Sequence, residues 1–380
     1  MVVIYSSLSF LAISVYLFSL FFSFGSGFNN TVSYEYILAS STDLFFSLII
    51  LYVFLKKRYN SIINKHVIRD YINDFFCRYS IVLYILIFIG FFEAYKSFSL
   101  IMAGVPRELL LTEYGRGGLF YMVMSGIFKI LCPATIFFSC GKKNIAIAFV
   151  GVVLSITIVA SRSELSFSIY FLLVLFIHGM TKQDIIKTSK FICLFVFMAI
   201  VSTIFLQNRP MSDSLDAVYD IASVFFTYKA YSFHLAKFAI EASSHFENVF
   251  FSFFGFPFDS VLRKTFGKSI PIDSDFISNV RYLGVNPSTS RPYLANIMYP
   301  WWSWFYGSLG FLGLIIKALY TYVILVTSDR LRMPLTTSYV MFYILFGTTV
   351  SHPIMTITHF SSFILVVLLD FAMKNKIKLR

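Results

Sequence analysis

Ten apolar runs constrain this chain more than any other feature. They fall at 3–24, 36–55, 79–95, 119–140, 144–160, 165–180, 190–206, 301–327, 335–351 and 354–372. A helix needs about 20 predominantly apolar residues to cross a bilayer. In lipid every backbone polar group has to be satisfied within the protein, which a helix does by itself. Runs of this length therefore predict membrane-spanning helices. Composition agrees: the 380 residues are 58% hydrophobic and 13% charged, against roughly 45–50% and about 25% in a soluble domain. The expected fold class is all-α, a polytopic integral membrane protein with about ten transmembrane helices.

Lysine and arginine set the orientation of such a chain. With the N-terminus cytoplasmic, the inner segments hold Lys56, Lys57, Arg58, Lys65, Arg69 and Arg78, then Lys142 and Lys143, then Lys182, Lys187 and Lys190, then Arg330 and Arg332. The tail adds Lys374, Lys376, Lys378 and Arg380. The outer segments 25–33 and 351–353 have neither residue type, and 96–118 has only Lys96, Arg107 and Arg116. Most of the net charge of +12 is thereby a topology signal, so nucleic acid is not an expected partner. Ten spans place both termini on the cytoplasmic side. The first run lacks a basic leader and a small-residue cleavage site after Phe24, so it is expected to be a retained helix.

Between the seventh and eighth runs lies one large polar stretch, 207–300, expected on the periplasmic side. The chain thus reads as an N-terminal bundle (1–206), a large periplasmic loop with interfacial helices (207–300), and C-terminal spans with a basic tail (301–380). Within the loop, Val218–Ala242 carries Lys229, His234 and Lys237 at helical spacing. That pattern fits an amphipathic helix lying on the membrane, with a re-entrant span as the alternative. Asn248–Phe258 is too short to cross and contains Gly255 and Pro257, as an interfacial dip would. Pro271, Pro287, Pro292 and Pro300 punctuate the remainder as ordered loop. No internal repeat or soluble domain is present in the sequence.

The polar residues that carry chemistry are few. Arg162 and Glu164, in Ser161-Arg162-Ser163-Glu164, join two apolar runs with almost no loop. An arginine at that depth is costly unless it faces a cavity or a partner. The pair is either an ion pair at the membrane surface or the mouth of an anion-binding cavity. Arg209, Arg281 and Arg291 lie just outside the membrane. Guanidinium groups stay ionised and bind oxyanions in bidentate fashion, which suits diphosphates. Pro287–Pro292 and Asn296 add hydroxyl and amide groups of the kind that bind sugars. Asp273-Ser274-Asp275 matches the D-x-D pattern of metal- and nucleotide-binding glycosyltransferases. Nucleotide sugars are cytoplasmic whereas this loop is expected outside, so no metal or other cofactor is assigned. His352, before Pro353 at the outer end of a run, is either a general base or a hydrogen-bonded histidine at a helix end. Gly307, Gly310 and Gly313 read as a face for close helix packing. The four cysteines form no disulfide or metal pattern, and no Walker A, HExxH, GxSxG or dinucleotide fingerprint occurs.

In architecture this pattern resembles the O-antigen polymerase (Wzy-type) family. The likeness lies in the number of spans, the Ser-Arg-Ser junction before a span, and the large outer loop. The loop's end is similar too, with Asn296, Tyr299, Trp304 and the glycine run entering the next helix. The distances from Arg107 to Gly118 and from Arg291 to Gly307 fit Arg-x-Gly spacings of that family, whereas Ser163 stands where Gly often follows the junction arginine. The resemblance implies polymerisation of undecaprenyl-diphosphate-linked repeat units into polysaccharide at the periplasmic face of the bacterial inner membrane. It implies Arg162, Glu164, Arg291 and His352 as catalytic residues, and Arg107, Arg209, Arg281 and Asn296 as substrate-binding residues. It also implies lipid-linked glycan, membrane lipid and a polysaccharide chain-length regulator as partners. An O-antigen ligase, with a lipid A-core acceptor, and a lipid-linked glycan transporter are the other classes. A transporter would typically show inverted repeats and broken helices at mid-membrane.

Overall fold

The structure is a computed structural model. It describes every residue except 26, 59–64, 106–109, 111–117, 162, 206–213, 266, 268–271, 288, 289, 291, 297 and 375–380, and for 203–205, 214–228 and 273 the backbone alone. The chain is an all-α membrane protein. Among the described residues, eight helices are long and apolar enough to cross a membrane. They are α1 (Val2–Ser23), α2 (Tyr34–Arg58), α4 (Ser80–Met102), α5 (Leu119–Phe137), α6 (Lys142–Val159), α8 (Lys182–Phe205), α12 (Trp301–Arg330) and α14 (Ile357–Lys374). Two shorter apolar helices occupy the remaining apolar runs. One is α7 (Ser163–Val174), continued by a 3-10 turn to His178, and the other is α13 (Pro334–Phe346). A further helix, α3 (Lys65–Arg78), forms inside an expected inner loop. Ile68, Ile72, Phe75 and Phe76 are its buried residues, spaced as one helical face.

Packing groups the chain into two units. The first comprises Met1–Asn60, Tyr219–Thr327 and Val340–Phe360; the second comprises Ser61–Val218, Ser328–Tyr339 and Ser361–Arg380. The N-terminal stretch 1–206 therefore contributes to both units.

In the first unit, α12 departs from the single span expected over 301–327. In a straight helix Trp301 and Tyr320 would lie about 28 Å apart at 1.5 Å per residue, yet their ring centroids are 6.3 Å apart. The ammonium of Lys317 likewise sits 5.2 Å from the Trp301 ring. The segment 301–309 thus folds back against 311–330 at Gly310, whose φ of 58° and ψ of −143° only glycine adopts at low cost. Gly307 and Gly313 do serve close packing. A Cβ at Gly307 would collide with Ile240 and Ser243, and one at Gly313 with the carbonyl of Phe305.

The polar stretch also differs from expectation. In helix α9 (Ser214–Ser243), residues 229–236 are buried on every side, so this stretch is core of its unit rather than one face of an amphipathic helix on a surface. Helix α10 (Phe251–Thr265) breaks at Gly255, where the Ile354 carbonyl approaches too closely for a side chain. The expected proline-punctuated loop contains a short helix, α11 (Ile272–Ser278), and an antiparallel pair, β1 (Arg281–Val285) with β2 (Pro292–Ala295). The pair has two strands only, and Pro292 pairs at the end of the ladder, where a missing N–H is tolerated. Tyr231, Leu235, Phe251, Phe276, Tyr299 and Trp304 form the core beneath it.

Loop contacts fall into two groups. In the first unit, Asn29 N donates to Leu283 O at 2.8 Å and Val285 N to Gly27 O at 2.8 Å, so the α1–α2 loop extends the β pair. Pro300 bridges to Ser351, and Phe256 N donates to Ile354 O at 2.9 Å. In the second unit, Lys65 pairs with Asp184, Asn144 Nδ2 donates to Asn73 Oδ1 at 2.9 Å, and Lys374 Nζ donates to Leu331 O at 3.0 Å. Each contact joins segments that the alternation of ten spans puts on one side.

Candidate functional site

Two polar constellations stand out, one in each unit. In the second, the α6–α7 junction carries Glu164 at the start of α7, 4% exposed. A carboxylate buried there needs donors, and hydroxyls supply them. Tyr121 Oη donates to Oε1, Ser125 Oγ to Oε1 at 3.3 Å, and Ser163 Oγ to Oε2 at 3.0 Å. Ser161 and Ser163 bond to each other at 2.8 Å across the junction. Arg162 itself lies outside the described residues, as do Arg107, Arg209 and Arg291. The junction meets the α4–α5 segment through Ala160, Ile101 and Leu110, which cluster together.

Tyr121 and Ser125 continue into Lys129 at intervals of four residues, one face of α5. Sequence reasoning passed over Lys129. Its ammonium donates to Ser362 Oγ at 2.7 Å and lies 5.3 Å from the Phe167 ring. A lysine eleven residues into a nineteen-residue span is the signal that was available, since ionisable residues inside spans are rare and functional by default.

In the first unit, Arg281 on β1 packs its guanidinium 4.3 Å from the Phe238 ring. The Lys237 ammonium lies 5.0 Å from the same ring. Tyr299, 0% exposed, stands beside Arg281. Burial raises the phenol above its ordinary range, against a hydrogen bond from the guanidinium and its charge, so the hydroxyl keeps its proton. Asn296 Nδ2 donates to Ile277 O at 2.5 Å, a bond that ties β2 to α11.

His352 is fully buried between α13 and α14, and both ring nitrogens are engaged. Nε2 donates to Ser252 O at 2.9 Å, while Nδ1 accepts from Ile354 N at 3.2 Å. Burial pushes its pKa down to about 3. In this arrangement it ties the α13–α14 loop to α10. Asp273 and Asp275 both fall in α11. Among the described residues, no three His, Cys, Asp or Glu side chains are grouped as metal ligands.

Three further buried charges were not singled out from the sequence. Asp43 in α2 pairs with Lys317 in α12, at 2% and 3% exposure. Asp370 in α14 accepts from Leu335 N at 3.2 Å and from Thr336 N and Oγ1 at 2.7 Å each, which caps the start of α13.

No family model, no curated protein and no solved structure matches the chain.

Proposed function

We propose that this chain is a membrane glycosyltransferase of the O-antigen polymerase type. The observation that carries the reading is Glu164, a carboxylate buried at a junction of two apolar helices, flanked in sequence by Arg162 and held by three hydroxyls. Buried intramembrane acids of this kind mark functional sites. The reaction requires a base for the acceptor sugar hydroxyl and a stabiliser for the departing lipid diphosphate. In this reading the acceptor oxygen attacks the anomeric carbon of the donor, its proton passes to Glu164, and the bond to the lipid diphosphate breaks. Arginine guanidinium groups, Arg162 first, offset the charge that develops on the leaving group. His352, with both nitrogens occupied, drops out as base. The basic residues of every inner segment support cytoplasmic termini and an outward 207–300 in a bacterial inner membrane.

The test is the surface polysaccharide of a strain whose only copy is Glu164→Gln. General-base loss lowers rate by about 10²–10⁴, so the ladder of long chains should collapse to a single repeat unit while the protein still inserts. A full ladder at normal expression would overturn the assignment. A ligase differs in its acceptor. Its loss would leave long polymer on the lipid carrier and none on lipid A-core, which the same gel resolves. A transporter is a second reading, favoured by the helix reversal at Gly310, because broken spans line substrate sites in such proteins. Accumulation of repeat units on the cytoplasmic leaflet of the deletion strain would select it.

A further inference from the structure

The Arg281 constellation has a deficit of acceptors. Arg281 Nε and the Tyr299 hydroxyl are both buried, and among the described residues neither meets an acceptor beyond the other's side chain. Buried polar groups are almost always bonded, and each orphan calls for an explanation. Here both groups are donors on neighbouring side chains, and donors facing each other leave hydrogens without an acceptor. A second observation points the same way: the Phe238 ring has Arg281 on it at 4.3 Å and Lys237 at 5.0 Å. An exposed lysine and a half-buried arginine at one ring concentrate positive charge there, which favours an anion. Among the described residues Arg281 has no ion pair with a carboxylate. Asp275 acts electrostatically on Tyr299 and accepts from Asn279 Nδ2 at 2.8 Å. Asn296 is already spent on Ile277.

We infer that Arg281, Tyr299 and Lys237, set around Phe238, form an oxyanion-binding site in the first unit. The ligand class is a phosphate or carboxylate oxygen that accepts from Arg281 Nε and the Tyr299 hydroxyl, with Lys237 adding charge from its exposed side. Phe238 holds the guanidinium plane in place, and Tyr299 is fixed edge-on by Phe276 at 4.6 Å. The site is therefore built before a ligand arrives. Its ligand has two chemically equivalent sources, a diphosphate or the carboxylate of an acidic sugar. The inference stands independently of Glu164, which lies in the other unit.

Purified full-length protein in detergent is titrated with pyrophosphate and, separately, with glucuronate, following thermal unfolding. Wild type should be stabilised by at least one of them. Arg281→Ala should weaken the apparent affinity roughly 10–100-fold, as loss of a charge-assisted bond does. Arg281→Lys should recover only part, because a point charge does not replace the fork. Tyr299→Phe should weaken it roughly 3–10-fold with little loss of unliganded stability, since the hydroxyl it removes has only the Arg281 guanidinium beside it in the free protein. A preference for pyrophosphate assigns a diphosphate, and one for glucuronate assigns an acidic sugar. The inference fails if neither anion stabilises wild type, or if Arg281→Ala responds as wild type does. It fails as well if Tyr299→Phe loses stability while keeping its anion response, because the hydroxyl is then a structural bond. Failure of the Glu164 test would leave these outcomes unaffected.

Discussion

Removing one partner of the Asp43–Lys317 pair should be far worse than removing both. The two side chains are 2% and 3% exposed, and Asp43 is bonded through Oδ1 alone, Oδ2 having no partner. Lys317→Met leaves a buried carboxylate without its cation. Breaking a buried pair in this way costs about 3–5 kcal/mol. The loss of Lys317 from the Trp301 face, 5.2 Å away, adds about 0.5–2 kcal/mol, part of which a methionine sulfur on the same ring restores. Uptake of a proton by the orphaned Asp43 keeps the total toward the lower end. Asp43→Leu strands the ammonium and should fall in the same range. The double variant Asp43→Leu/Lys317→Met removes both charges and both desolvation penalties, so it should return to within about 1–2 kcal/mol of wild type or exceed it. The interaction term of the cycle should then be about 3 kcal/mol or more. Thermal unfolding in detergent read by tryptophan fluorescence suits the question, because all three tryptophans, Trp301, Trp302 and Trp304, are buried in this unit. Additive single effects, or a neutral Lys317→Met, would show that the pair is hydrated and refute the reasoning.

Three other outcomes are expected. A reporter active only outside the cytoplasm should work when fused after Asp259 and fail after Lys143 or Arg330; activity at Lys143 would reverse the orientation. His352, with its pKa pushed down to about 3 against about 6.5 unfolded, binds fewer protons folded than unfolded. Stability from its burial is therefore full above about pH 6.5 and is lost as pH falls toward 3, by about 2 kcal/mol at pH 5. His352→Asn should flatten that slope of unfolding temperature against pH, and an unchanged slope would count against it. Gly310→Ala should cost about 1–3 kcal/mol from backbone strain alone, because no atom lies within 4 Å of the added Cβ. Gly141→Ala, equally open but at φ −54°, should lose only the N-cap preference of glycine over alanine, about 0.5–1 kcal/mol, and a loss at Gly310 no larger than that would deny the reversal.

The helices α1, α2, α4, α5, α6, α8 and α14 were legible because lipid demands long apolar runs and tolerates little else. What lay between them was not. The glycines at 307, 310 and 313 share a three-residue spacing that reads as a packing face, and only the contact of Trp301 with Tyr320 reveals the reversal. Strands of five and four residues, one starting with Pro292, carry no usable periodicity. They gain their edge from residues 27–29, a partner more than 250 positions away. In α9, Lys229 and His234 mimic a polar face although tertiary packing buries both. Glu164 stood out because a short junction isolates it. Lys129, Asp43, Lys317 and Asp370 were equally visible as charges inside apolar runs, but each pairing depends on a helix remote in sequence.

Hydrogen-bond completeness then separates these charges by task. Asp370 has a structural explanation: both oxygens accept from the start of α13, so it supplies what that helix end lacks. Glu164 is also satisfied, but by Tyr121, Ser125 and Ser163 rather than by backbone. Hydroxyls rotate and can exchange one acceptor for another, so a substrate oxygen can enter that shell without unfolding a helix end. Asp43 is half satisfied and Arg281 lacks a partner at Nε. An unfilled bond at a buried charge is costly in the free protein and is relieved only by something that arrives. The exchangeable hydroxyl shell of Glu164 and the unfilled Nε of Arg281 are where a ligand's contribution should be sought, and Asp370 is where mutation should report on folding alone.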